Sequence, residues 1–169
     1  MRIQSFLYAA LNGPMRAFLR SPLHGIASKN LCILRYAGRR SGRAFETPLS
    51  YVQTGDTVRL LSSHETRWWT NFLPEIEEPS ALPGKDEGYP VEVEIGRVVR
   101  PGRAITLCRD SAYFRDGVRG FLTALPRDAV VYGIKLDGDR RPLEQDIEGA
   151  ASHVVLVEIA LDPNALNPN

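Results

Sequence analysis

The chain has 169 residues, of which 43% are hydrophobic and 24% charged, enough for one proper core and unlike a disordered or fibrous composition. Its formal net charge of +1 hides an asymmetry: residues 1–45 hold Arg2, Arg16, Arg20, Lys29, Arg35, Arg39, Arg40 and Arg43 and no acid, a charge of +8 that leaves −7 for the rest. Such imbalance points the first segment toward an anionic partner, whether nucleic acid, an anionic membrane surface or a phosphorylated small molecule.

In chain order, Ile3, Phe6, Leu7, Ala10, Leu11, Met15, Phe18 and Leu19 fall on one helical stripe. Pro14 interrupts it, so residues 1–20 are read as an amphipathic segment of two short helices rather than a signal peptide. Residues 31–36 (LCILRY) and 45–52 (FETPLSYV) are expected to pair as antiparallel strands across a Gly-containing tip. A turn at 53–56 leads to a third strand at 57–63, and 66–73 reads as one or two helical turns. Residues 74–90, rich in Pro and acid, read as an exposed loop.

Val91, Val93 and Ile95 then alternate with Glu92 and Glu94, and Gly96 marks a tight turn before a strand at 97–100. The pattern predicts a helix over 105–124, a strand-like run starting at Val130, a short helix over 143–151 and a last strand over 153–161. No repeat or linker divides residues 1–169, which are read as a single α+β domain: a small barrel, one sheet of about six mainly antiparallel strands curled on itself, with flanking helices.

Cys32 and Cys108 have no short-range spacing. They read as buried thiols in a reducing compartment, with a disulfide or a reactive thiol as the alternative. No apolar run approaches the ~18 residues of a membrane span, so a cytoplasmic protein is expected. His24, His64 and His153 lack metal-ligand spacing, so no metal site is expected. There is no phosphate-binding Gly loop and no nucleophile motif. If the chain is an enzyme, a bound cofactor carries the hard step.

The tip itself is the strongest local signal. Arg39, Arg40 and Arg43 surround Ser41 and Gly42, and like charges at such spacing repel unless something anionic arrives. Backbone amides of a Gly/Ser turn form an anion-holding concavity, and guanidinium groups add charge-assisted hydrogen bonds. The competing reading is a solvated turn. Trp68 and Trp69 are adjacent, so the two indoles are not expected to be buried together in one core, and one is expected to line a pocket.

The succession G-R-R-S-G-R, T-P-L-S-Y, G-D, S-S and W-W-x-N resembles the deazaflavin-dependent nitroreductase family, split barrels related to the flavin-binding pyridoxamine-phosphate oxidases. The resemblance implies a cofactor, a deazaflavin coenzyme of the F-420 type or FMN. Its anionic tail would be held by Arg39, Arg40, Ser41, Gly42 and Arg43. Pro48, Leu49 and Tyr51 match the strand beneath the ring, Ser62 and Ser63 a strand end at the ring edge, and Trp68, Trp69 and Asn71 the element beside it. The stretch before the tryptophans, residues 64–67, is shorter than the family's Gly-rich loop.

The expected activity is reduction of a quinone, nitro compound or similar electron-poor small molecule. Pro48, Trp68 and Trp69 would form an apolar face against the ring, and Tyr51, Tyr113 or Tyr132 would donate a hydrogen bond to negative charge developing on the acceptor. The alternative is a non-catalytic flavin or small-anion carrier on the same barrel. A homodimer is expected, no nucleic-acid partner, and peripheral membrane contact through residues 1–20 is a further option.

Overall fold

The computed structural model of the protein describes residues 30–74, 88–107 and 110–163. The expected amphipathic segment 1–20, most of the acidic loop and Cys108 therefore lie outside the described residues. The architecture is α+β, the split barrel expected from the sequence, with seven strands among the described residues where about six were expected. They are β1 (Leu31–Ala37), β2 (Ala44–Ser50), β3 (Val52–Thr54), β4 (Thr57–Ser63), β5 (Tyr89–Ile95), β6 (Val98–Leu107) and β7 (Val154–Leu161). All pair antiparallel in the order β2-β1-β5-β6-β7-β4-β3.

The sheet curls. β1 and β4 are separated by three strands, yet Cys32, Leu34 and Tyr36 of β1 share one buried cluster with Val58 and Leu60 of β4. Val91, Val93, Ala104, Val155, Val157 and Ile159 complete that inner face. Because strand side chains alternate, the other parity of β4 and β7 (Leu61, Val154, Leu156) faces outward. It meets α1 (Ala112–Ala124) and the 3-10 segment Pro126–Tyr132 in a second cluster.

α1 begins at Ser111, whose hydroxyl accepts the Phe114 N–H at 3.0 Å, an N-cap of the usual kind. It buries Phe114, Gly117, Val118, Phe121 and Leu122. Gly117 permits the close approach to the sheet, since a Cβ there would run into Leu156 Cδ2. A short α2 (Glu144–Glu148) and the turn Ala150–Ser152 precede β7.

The structure corrects four boundaries. The strand expected over 45–52 breaks at Tyr51, whose N–H donates to the Asn30 carbonyl at 3.0 Å, so β3 is a separate strand paired with β4. The expected loop 74–90 ends earlier, with Tyr89 and Pro90 already paired in β5. The helix predicted over 105–124 begins only at Ala112. Ile105, Thr106 and Leu107 extend β6 against Glu158, Val157 and Leu156, so Leu107 belongs to the sheet. The strand-like run from Val130 is instead 3-10 and turn, fixed by Ala129 in the outer cluster, and touches strand geometry only at the Leu136–Pro142 bridge.

Gly96 does mark a tight turn. With Gly96 at φ 56° and Arg97 at φ 73°, both loop positions between Ile95 and Val98 are left-handed, the geometry that matches the strands' twist. Among the described residues no helix is long and apolar enough to cross a membrane.

Candidate functional site

The β1–β2 hairpin closes on itself. Gly38 N–H donates to the Arg43 carbonyl and Gly42 N–H to the Gly38 carbonyl, each at 2.8 Å, and the Ser41 hydroxyl accepts the Arg43 N–H at 3.3 Å. Two positions require glycine. Gly42 sits at φ 64°, and a Cβ on Gly38 would lie 2.7 Å from Ser41 Oγ and 2.8 Å from the Phe45 ring. Among the described residues the amide N–H groups of Arg40 and Ser41 make no hydrogen bond. The side chains of Arg40 and Arg43 are exposed and form no ion pair with a described residue.

Arg39 behaves differently from its neighbours. Its side chain folds back to donate to the Leu73 carbonyl at 3.0 Å and lies over the Tyr89 ring, 5.0 Å from the centroid. Its backbone N–H donates to the Asn71 side-chain carbonyl at 2.9 Å, and the Asn71 amide donates onward to the Trp68 carbonyl at 2.8 Å. The tip is thereby tied to the 3-10 turn Trp68–Phe72.

That turn carries both indoles. Trp68 and Trp69 are each half-buried and both lean on the inner cluster, so the two adjacent indoles are not buried together in the core. The turn itself is pinned beneath them. Phe72 is 1% exposed and meets Tyr36 and Trp68 edge-on, with centroids 5.2 and 6.1 Å apart. Trp69 Nε1–H donates to the Ser63 carbonyl at 3.2 Å, and Thr106 Oγ1–H to the Trp69 carbonyl at 2.7 Å. His64 faces Trp69 with ring centroids 5.6 Å apart. The hydroxyls at the end of β4 are occupied within the protein: Ser62 with Thr66 Oγ1 at 2.5 Å, and Ser63 as acceptor of the Glu65 N–H at 3.1 Å.

The structure thus brings together the tip, Asn71, Trp68, Trp69, Ser62 and Ser63, with Leu49 and Tyr51 also packed on the inner cluster. Burial pushes the Tyr51 phenol up from its ordinary pKa, helped by nearby Cys32, whose own thiol burial pushes up to about 12.

Three predicted residues fall elsewhere. Pro48 stands opposite Ile33, while Cys32 and Leu34 on either side of Ile33 point inward. The pleat therefore turns Pro48 to the face away from the indoles, and it cannot form an apolar wall with them. As an edge-strand residue, its missing N–H costs little. Tyr113 projects from α1 and its hydroxyl is held by both oxygens of Glu158, at 2.6 and 2.7 Å. Tyr132 packs into the outer cluster and donates to the Leu61 carbonyl at 2.9 Å. Among the three tyrosines, Tyr51 alone shares the face of the indoles. Sequence reasoning missed Tyr89 beneath Arg39 and Thr106 beneath Trp69, neither of which has a local signature.

No protein-family model and no curated protein matches the chain. Solved structures that the chain matches include a candidate pyridoxamine 5'-phosphate oxidase of Listeria innocua, with 10% identity, TM-score 0.45, covering 83% of this chain and 90% of that one. A FAD-binding protein of Mesorhizobium loti matches with 16% identity and TM-score 0.45, covering 84% and 90%. A candidate 5-nitroimidazole antibiotic resistance protein of Bacteroides thetaiotaomicron matches with 14% identity and TM-score 0.42, covering 82% and 77%.

Proposed function

We propose that the chain binds a phosphate-bearing flavin-type cofactor, FMN or a deazaflavin coenzyme, and with it reduces an electron-poor ring such as a quinone or nitro compound. The observation that carries this reading is the juxtaposition of Arg40 and Arg43, unneutralised by any described acid, with an indole-bearing turn bonded to the same tip through Asn71. The residues fit such a group at both ends. Arg40, Arg43 and the amides of Arg40 and Ser41 supply donors for phosphate. Trp68, Trp69 and Tyr51 supply partly exposed aromatic surface for a planar ring. Bound there, a flavin-type cofactor supplies hydride transfer to the acceptor. The chain's own part is to clamp the anionic tail, cover one side of the ring and position Tyr51 as a donor.

The second reading is a carrier without turnover. It is favoured by the placement of Tyr113 and Tyr132 on the outer face and by the internal pairing of the Ser62 hydroxyl, which leaves Tyr51 as the one proposed donor to an acceptor. Titration with FMN and with deazaflavin, followed by visible absorbance and tryptophan quenching, tests the common premise. A shifted band with quenching is expected, and menadione reduction well above that of free cofactor then supports the enzyme. Quenching without turnover supports the carrier. A folded protein that shifts and quenches neither cofactor removes both readings.

A further inference from the structure

We propose that Asn71 is a positioning residue that transmits occupancy of the arginine tip to the paired indoles, an inference that rests on the anion-clamp reading above. Its planar amide spans the two elements with opposite ends: the carbonyl oxygen accepts the Arg39 N–H, and the NH2 group donates to the Trp68 carbonyl. A backbone donor on one side and a backbone acceptor on the other leave one chemically sensible orientation of that amide. The bonds join segments 32 residues apart. They fix the peptide that immediately precedes the amides of Arg40 and Ser41, the two tip N–H groups that make no hydrogen bond among the described residues.

An anion drawn onto those amides loads the peptide that Asn71 holds. On the far side, the Trp68 carbonyl opens the turn bearing both indoles. A second link runs in parallel from the Arg39 guanidinium to the Leu73 carbonyl just past the turn's end. The tip and the turn are therefore one mechanical unit, and the residue that makes them so must offer an acceptor and a donor on one short rigid group. Aspartate has no donor for Trp68, and alanine has neither bond.

Trp68 and Trp69 are the chain's two tryptophans, so tryptophan emission, excited selectively over the tyrosines, reports on this turn alone. The probe is inorganic phosphate, with binding followed separately by phosphorus NMR line broadening. The wild type is expected to show a saturable change in tryptophan emission. Asn71→Ala is expected to bind phosphate yet lose at least two-thirds of the emission amplitude at saturation. Asn71→Asp retains the bond from Arg39 and serves where the alanine variant loses its cooperative thermal transition; its amplitude at saturation is expected to fall likewise. Full amplitude in either folded variant overturns the proposal. A wild type that binds FMN but whose emission ignores bound phosphate also overturns it, while leaving the cofactor reading intact. Failure to bind phosphate and FMN alike removes the cofactor reading and this inference together.

Discussion

The stem and the tip of the β1–β2 hairpin treat arginine in opposite ways. In the stem, Arg35 projects from the outer face of β1 between Glu46 of β2 and Glu94 of β5, bonded to both, with Glu92 at 4.0 Å. The Glu46 hydrogen bond foremost, and then Glu94, push its pKa up against the opposing effect of burial. A few residues on, Arg40 and Arg43 have no described acid beside them and stay exposed. The stem's charge is consumed by the fold, whereas that of Arg40 and Arg43 is matched by no described acid. Clustered positive charge therefore says little until each guanidinium has been matched with its partners; the +8 of residues 1–45 is already offset at Arg35.

Phe72 sits under the tip's anchoring turn, buried to 1% and wedged between Tyr36 and Trp68. Phe72→Ala should cost about 3–5 kcal/mol in urea unfolding, the usual range for an aromatic-to-alanine cavity. A loss below about 1 kcal/mol would mean that the turn is not anchored by this ring and that the tip's tether has no fixed base.

Next comes the stem. Arg35→Ala strands Glu46 and Glu94 on a half-buried surface without their shared partner, and Glu94 is the more deeply placed, at 11% side-chain exposure. The expected loss is about 2 kcal/mol, and phosphate binding at the tip should not change. A variant as stable as the wild type would show the stem's arginine to be as dispensable as an exposed one.

How much of this was legible beforehand follows from the range of each interaction. The alternation of Val91, Val93 and Ile95 is written in adjacent residues and gave β5 directly, and the glycines of the tip announced a turn. Ile105 and Leu107 read as helical because they continue an apolar series into α1. What makes them a strand is pairing with β7, some fifty residues away, which no window of sequence contains. The misplacement of Pro48 was avoidable: it adjoins Leu49, and neighbours on a strand point to opposite faces, so the two could not both lie under one ring. The Arg39–Asn71 bond had no such sign, because it depends on the curl of the sheet bringing a hairpin tip against a turn.

A smaller effect separates the outer face from the inner. The Tyr113 hydroxyl donates to the Glu158 carboxylate, which Arg59 also holds at 3.0 Å. Burial first, and the Glu158 bond second, raise this phenol above its ordinary 10.0. A folded pKa above the unfolded one means that the neutral phenol stabilises the fold fully below pH 10 and less as pH climbs through the folded value. Tyr113→Phe should therefore cost about 1 kcal/mol at pH 7, with the gap from wild type closing above pH 10. A gap that widens there would reverse the assigned direction. Cofactor titrations should be unaffected, since the residue lies on the opposite face from the indoles.

The smallest change in stability should come from the tip itself, and its sign is informative. Arg40 and Arg43 make no described ion pair, so among the described residues Arg40→Ala with Arg43→Ala removes repulsion and no attraction. Exposed substitutions of this kind stay within about 0.5 kcal/mol, and here the change should favour the folded state, raising the midpoint by roughly 1 °C for a chain of this size. Because exposed charges are screened over about 8 Å at physiological ionic strength and about 30 Å at 0.01 M, the gain should be measurable in dilute buffer and vanish in 0.5 M salt. A stem-like arginine would behave in the reverse manner, losing stability at every salt concentration. If the double variant is destabilised by more than 1 kcal/mol in dilute buffer, these two guanidiniums serve the fold as Arg35 does. If it is slightly stabilised and FMN or phosphate binding falls at least about a hundredfold, at ~1.5–3 kcal/mol for each of two charged hydrogen bonds, the tip keeps a strained charge that its ligand relieves.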